Sequence, residues 1–252
     1  LAGIAFAWGV FAALSPALPE PKAATPATFH PLGLTPAGAD LAWTLTLAVA
    51  RAHAFAGLAV AAALIVAIPL GLLAGLRRNP LLERIELWFG RVIDSLGAFV
   101  IVAATLAISP GLSVFWIAIA LGLVLWTAFV GMIRLAVIHE TRREYFEAAV
   151  AMGLPRRRLL WHYLLPAIWR RLAPAALGVC ALLVGALGAV DFLGLGAKRE
   201  VSVGYLLYDS LGSLVASPGY FAASITANLL VVGSLAAAKE RLLGVINRDS
   251  DS

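Results

Sequence analysis

Charged side chains are sparse in this sequence, so the stretches where they gather say most about its chemistry. One such stretch is EAAVAMGLPRRRLLWHYLLP, residues 147–166, which carries Glu147, then Arg156, Arg157 and Arg158 in succession, then His162. Nucleophilic catalysis needs a hydroxyl or thiol beside a base, and this segment holds no serine, threonine or cysteine. A metal site needs several converging ligands, and one glutamate with one histidine falls short. What this set of side chains suits is binding, either to a layer of lipid headgroups or to a groove on another protein. Two further acids, Asp94 and Asp191, sit in or beside apolar runs. An ionisable group at such a place is costly and commonly faces a polar path.

Composition defines the setting for these residues. Hydrophobic residues make up 62% and charged residues 13% of the chain, and mean hydropathy is +0.92. That is more apolar surface than one water-soluble core of this length hides, and it marks an integral membrane protein. The net charge of +5 is gathered in particular loops rather than along one face, which argues against a nucleic-acid partner. The single cysteine, Cys180, excludes an intrachain disulfide and reads as a small packing residue. The sequence opens at Leu1 without a methionine or a basic leader, so its first apolar run reads as a truncated span rather than a signal peptide.

A hydrocarbon core about 30 Å thick takes roughly 20 residues of helix. Windows of that kind fall near 1–18, 54–76, 92–109, 112–133, 173–194 and 220–238, predicting an all-α integral membrane protein with about six transmembrane helices. None alternates with the period of two that a membrane β-barrel requires. Arginines concentrate in 77–91, in 134–172 and at the C-terminus, whereas 19–53 and 195–219 hold few basic residues. Positive loops stay inside, so the first set is predicted to be cytoplasmic and the second external. The organisation expected is a first span at 1–18, an external loop and lead-in over 19–53, a permeation core over 54–240 that includes the loop 134–172, and a cytoplasmic tail over 241–252. On this topology His30 and His53 face outward while His139 and His162 face inward, so the four cannot form one metal site. Asp94 and Asp191 lie near opposite membrane interfaces, where each admits a transport role or a structural one such as a salt bridge from Arg91 to Asp94. Ser95, Thr105, Thr127, Ser224, Thr226 and Asn228 suit hydrogen bonds between helices.

The basic segment thus falls in the longest cytoplasmic loop. Its first half has strong helix formers ending at Gly153, which can adopt the positive φ that stops a helix. Pro155 can open a second helix, PRRRLLWHYLL, until Pro166 perturbs or ends it. Tyr145, Ala149 and Met152 are expected on one face of the first piece, and Leu159, His162 and Tyr163 on one face of the second. Such a helix, turn and helix can lie on anionic lipid, or it can insert into a cytoplasmic partner and pass motion to the spans.

The order Glu147-Ala148-Ala149, then Gly153, then Tyr163, Leu165 and Pro166 resembles the EAA loop of binding-protein-dependent ABC importer permeases. HPLG at residues 30–33, GAD at 38–40, Arg51, Gly57, RVID at 91–94 and FLGLG at 192–196 resemble, in order, segments of the dipeptide, oligopeptide and nickel permeases of the DppC/OppC branch. The resemblance implies that the loop contains a coupling helix docking on an ATP-binding subunit, with Glu147 in polar contact, Gly153 permitting the turn, and Arg156, Arg157 and Arg158 near acidic protein or lipid groups. It further implies two ATP-binding subunits that carry ATP and Mg, a homologous permease subunit, an extracytoplasmic substrate-binding protein, and a bacterial or archaeal cytoplasmic membrane. The chain itself has no Walker-type glycine loop, so no cofactor and no enzymatic activity are expected in it. It departs from the branch at Ala39, His53, Val100, Leu187 and Val203, positions on the outward or membrane part, and at Tyr163, where an aliphatic residue is usual. Dipeptide specificity is therefore not implied. An autonomous secondary transporter or channel with a lipid-binding loop is the alternative, and a membrane-embedded hydrolase lacks a nucleophile and base at recognisable spacing.

Overall fold

A computed structural model describes residues 32, 34–35, 38–77, 80–108, 114–193, 202–215 and 217–250. The expected first span at 1–18, the turn at 109–111 and most of FLGLG lie outside the described residues. The described residues are helical apart from turns and one isolated antiparallel bridge between Leu34 and Asp40. In chain order the helices are α1 (Leu41–Arg77), α2 (Pro80–Ile108), α3 (Val114–Leu125), α4 (Thr127–Glu140), α5 (Glu144–Ala151), α6 (Arg156–Leu159), α7 (Leu165–Phe192), α8 (Val203–Gly212) and α9 (Pro218–Ser250). A π-helical turn over Leu160–Leu164 joins α6 to α7.

Helix α1 starts ahead of its apolar window because Asp40 caps it. The Asp40 carboxylate accepts from the Ala42 and Trp43 amides at 2.8 and 3.2 Å, satisfying donors that a helix start leaves open. At 37 residues α1 is about 55 Å long, well beyond what one crossing needs. The expected span at 92–109 is not one helix, since Gly97 interrupts α2 with φ 71° and ψ 153°. The fourth span is also bent: α3 and α4 meet at 46°, where the Phe129 and Val130 amides both converge on the Trp126 carbonyl. The fifth begins far earlier than 173, in a helical run over Arg157–Phe192. Among the described residues, three helices are long and apolar enough to cross a membrane, or four if the bent α3–α4 pair counts as one span.

Helix α1 is the hub, packed chiefly on α4 and α3 and also on α7. Its buried side is a stripe of small residues that includes Ala52, Ala56, Ala59, Ala63 and Ala67. In lipid, helices gain little from hiding apolar surface from one another, so association depends on close van der Waals approach. Gly122 on α3 makes that approach possible, since a Cβ there would stand 2.2 Å from the Ala59 carbonyl oxygen. Beyond α7, the short α8 fills the space between α7 and α9. Leu182, Leu229 and Leu230 are left exposed, as lipid-facing residues would be.

This packing makes a matched pair of glycine substitutions informative. Gly122→Ala is expected to lower stability by about 1–3 kcal/mol through overpacking. Gly90→Ala, in α2 with nothing within 4 Å of the new Cβ, is expected to leave stability unchanged or raise it by about 0.5–1 kcal/mol. Thermal unfolding in detergent micelles checks the contrast, and equal melting of the two variants would contradict the seam.

Candidate functional site

Helix α5 opens at Arg143, whose extended backbone lets its carbonyl accept from the Phe146 and Glu147 amides at 2.9 and 3.1 Å. Glu144 and Glu147 occupy the first turn, where the helix dipole favours negative charge. The helix stops in a Schellman arrangement. The Leu154 amide donates to the Ala149 carbonyl at 3.3 Å and the Gly153 amide to Val150 at 3.0 Å. Gly153 supplies the positive φ of 76° on which that closure depends. Pro155 then offers its carbonyl to the Arg158 and Leu159 amides at 2.8 and 3.2 Å, starting α6.

Pro166 perturbs the second helix and does not end it. Its ring has no N–H and crowds the carbonyl four residues back. The backbone answers with the wider π turn, in which the Leu165 amide donates to the Leu160 carbonyl. α7 then runs on to Phe192 with Pro166 in its first turn. The sequence-predicted loop is therefore mechanically continuous with a membrane-length helix.

Tyr145, Ala149 and Met152, expected on one face of α5, are not covered alike. Phe146 and Ala149 are buried, while Tyr145 is 45% and Met152 74% exposed. Glu147, Ala148, Val150, Arg157 and Arg158 also face outward, and so does Pro166, whereas Leu165 is half-buried. On the second piece Leu159 is buried, Tyr163 half-buried and His162 exposed. The structure thus brings Glu147, Ala148, Val150 and Met152 to one uncovered surface carrying an acid and apolar groups together. The side chains of Asp94 and Arg156 lie outside the described residues.

Glu140, which sequence reasoning missed, sits at the base of this bracket. It is the last residue of α4, and its side chain is 8% exposed. The Tyr145 hydroxyl donates to its Oε2, which also lies 3.6 Å from Arg143 Nε. Its Oε1 lies 3.9 Å from Arg171 Nη2 on α7 and 3.7 Å from His139 Nδ1. Partial burial, then the bond to Glu140 and the negative charge there, raise the Tyr145 phenol above its ordinary value, so it serves as the donor at neutral pH. The ring of Tyr145 stacks on Tyr163 with centroids 6.0 Å apart. One signal was available in the sequence: a carboxylate at a helix C-terminus opposes the dipole and needs cationic company.

Asp191 lies away from the bracket, at the far end of α7, and is buried. It accepts a hydrogen bond from Ser202 Oγ, and the same hydroxyl accepts from the Tyr205 amide at 3.0 Å to cap α8. Asp191, Ser202, Gly188 and Asn228 line one small cavity between α7, α8 and α9. Asp191 therefore fastens the start of α8 to α7.

Residues 67–239 match the family described as the binding-protein-dependent transport system inner membrane component. The chain belongs to that family. As an inner membrane component it carries both the bracket and Asp191 within the matched range. It is 32% identical over 122 residues to the oligopeptide transport system permease protein OppC of Haemophilus influenzae, covering 48% of this chain and 38% of that protein. It is 28% identical over 207 residues to the dipeptide transport system permease protein DppC of Alkalihalophilus pseudofirmus, covering 79% of this chain and 66% of that protein.

The turn at Gly153 gives this inner membrane component a local test. Replacing Gly153 by Ala is predicted to cost about 1–2 kcal/mol because of the left-handed backbone, and Gly153→Asn less. Hydrogen exchange at the Leu154 amide should rise more in the Ala variant, and equal exchange in the two would contradict the Schellman closure.

Proposed function

We propose that this chain is a transmembrane permease subunit of an ATP-driven ABC importer, and that α5 is its coupling helix. One observation supports this reading most directly. The bracket leaves Glu147, Ala148, Val150 and Met152 uncovered while its second arm continues without interruption into α7. A surface that only rested on lipid would place its apolar residues together and its acids elsewhere. Here an acid sits among them, and a rigid path leads from that surface across the membrane.

On this reading six spans include 1–18 and the two-part α2, and the loop 134–172 is the EAA loop. Two ATP-binding subunits hold ATP and Mg and perform the hydrolysis. A homologous permease subunit completes the membrane path, and an extracytoplasmic binding protein delivers a peptide or related small solute, the class named for the two relatives. Closure of the ATP-binding subunits displaces α5, and that displacement tilts α7 and α4 and changes which face of the membrane is open. Glu147 makes polar contact with the ATP-binding subunit, Gly153 sets the angle between the arms, and Arg156 to Arg158 orient the loop. Asp94 belongs with the core of the path.

Purification of the tagged full-length chain from its native membrane is expected to retain an ATP-binding subunit and a second permease. Glu147→Ala should weaken that retention, and Gly153→Pro should remove most of it while membrane insertion persists. A wild-type chain that stays solitary and moves solute alone down a gradient would sink the importer reading in favour of an autonomous transporter or channel.

A further inference from the structure

The importer reading explains what α5 touches but leaves open what makes α5 carry its neighbours with it. A helix tethered by flexible turns would absorb a push rather than transmit it. The turn at Gly153 is closed by backbone bonds, and so is the other connection, where the Arg142 and Arg143 amides donate to the His139 and Glu140 carbonyls at 3.3 and 3.2 Å. Neither set of bonds reaches α7, and α5 has no side-chain cap at Arg143. A side chain that ties this end to α7 would make the bracket rigid.

Glu140 occupies that place, and its two oxygens address different parts of the molecule. Oε2 takes the Tyr145 hydroxyl and faces Arg143, both belonging to the bracket. Oε1 faces Arg171 on α7, whose Nη2 also lies 3.3 Å from His139 Nδ1. Tyr145 meets Tyr163 of the π turn in a stacked contact, so the phenol touches both arms of the bracket. Beneath this polar layer Phe146 and Ala149 are buried in the same core as Leu164, Ile168 and Leu172. The carboxylate itself is almost covered, whereas Arg143, Arg171 and His139 are about half exposed around it. Such a group is held only while its partners stay in place, because a covered charge left without them is destabilising.

We propose that Glu140 is a positioning residue, the joint that makes α5, the end of α4 and the base of α7 move as one body. Its importance for transport rests on the importer reading, but the joint itself is a property of this chain. Charge and hydrogen bonding act at two sides of one carboxylate, so releasing either side frees α5 from one neighbour.

The experiment uses the full-length chain in nanodiscs of phosphatidylethanolamine and phosphatidylglycerol. Spin labels are placed at Val150→Cys on α5 and Trp169→Cys on α7, both exposed sites, in a Cys180→Ala background. The wild-type distance distribution should be narrow. Tyr145→Phe, which keeps the charge and is safe for folding at a half-exposed position, should broaden it. The same substitution should raise amide exchange across 144–151 about tenfold, the loss of one hydrogen bond to a charged group. Glu140→Gln keeps a hydrogen-bonding partner for Tyr145 and should fall between the two, whereas Glu140→Ala should match or exceed Tyr145→Phe. A distribution as narrow in Tyr145→Phe and Glu140→Ala as in the wild type, with exchange within about twofold, would overturn the joint. If the wild-type chain retains no ATP-binding subunit, the importer reading fails, while the nanodisc comparison still decides for or against the joint.

Discussion

The position of the bracket around α5 depends on how closely α1 lets its neighbours approach. In hydrocarbon the usual drive to bury apolar surface is absent, so helices stay together only where atoms meet at van der Waals distance. The alanine stripe on α1 and the bare backbone at Gly122 provide that distance on the α3 side. On the α4 side Ile133 and Val137 press on Gly71 and Gly75 of α1. Because α4 is seated along this seam, its last residue, Glu140, has a defined position from which to hold α5.

The polar groups of the structure follow one logic. Each buried acid is placed where two helices must be kept in register, and each has a donor aimed at it. Glu140 does this at one end of the bundle with Tyr145 and Arg171, and Asp191 does it at the far end of α7 with Ser202. At the α8 side of that far end, Asp209 accepts from the Tyr220 hydroxyl at 3.1 Å and ties α8 to α9. One helix, α7 with its π turn, connects the two regions. The Glu140 and Asp191 contacts thus sit at the two ends of one continuous helical run.

Much of this was legible in the sequence for identifiable reasons. The apolar windows of α1, α7 and α9 announced themselves by length, and Gly153 and Pro155 marked the turn because few other residues can serve there. The start of α1 was less visible, since Thr44, Thr46, Arg51 and His53 make its first turns read as an external lead-in until the Asp40 cap is seen. Gly97 looked like one glycine in an apolar run, and only its backbone angles reveal a break. Pro166 invited a helix end that the π turn avoids. On α5, Tyr145 is drawn aside to Glu140 while Phe146 joins Ala149 in the inward position, which spacing alone did not show. Glu140 itself escaped notice although His139 and Arg143 are its near neighbours, because Arg171 is brought to it by helix packing and Tyr145 by the chain reversal after α4.

On the importer reading, the uncovered face of α5 is occupied by an ATP-binding subunit. The most direct measurement places a photoreactive amino acid at Met152, the most exposed of its apolar residues at 74%, in the chain expressed in its native membrane. After illumination the cross-linked species is identified by mass spectrometry. A covalent adduct with an ATP-binding subunit is expected, abolished when Gly153 is replaced by proline. Adducts with phospholipid alone would contradict it.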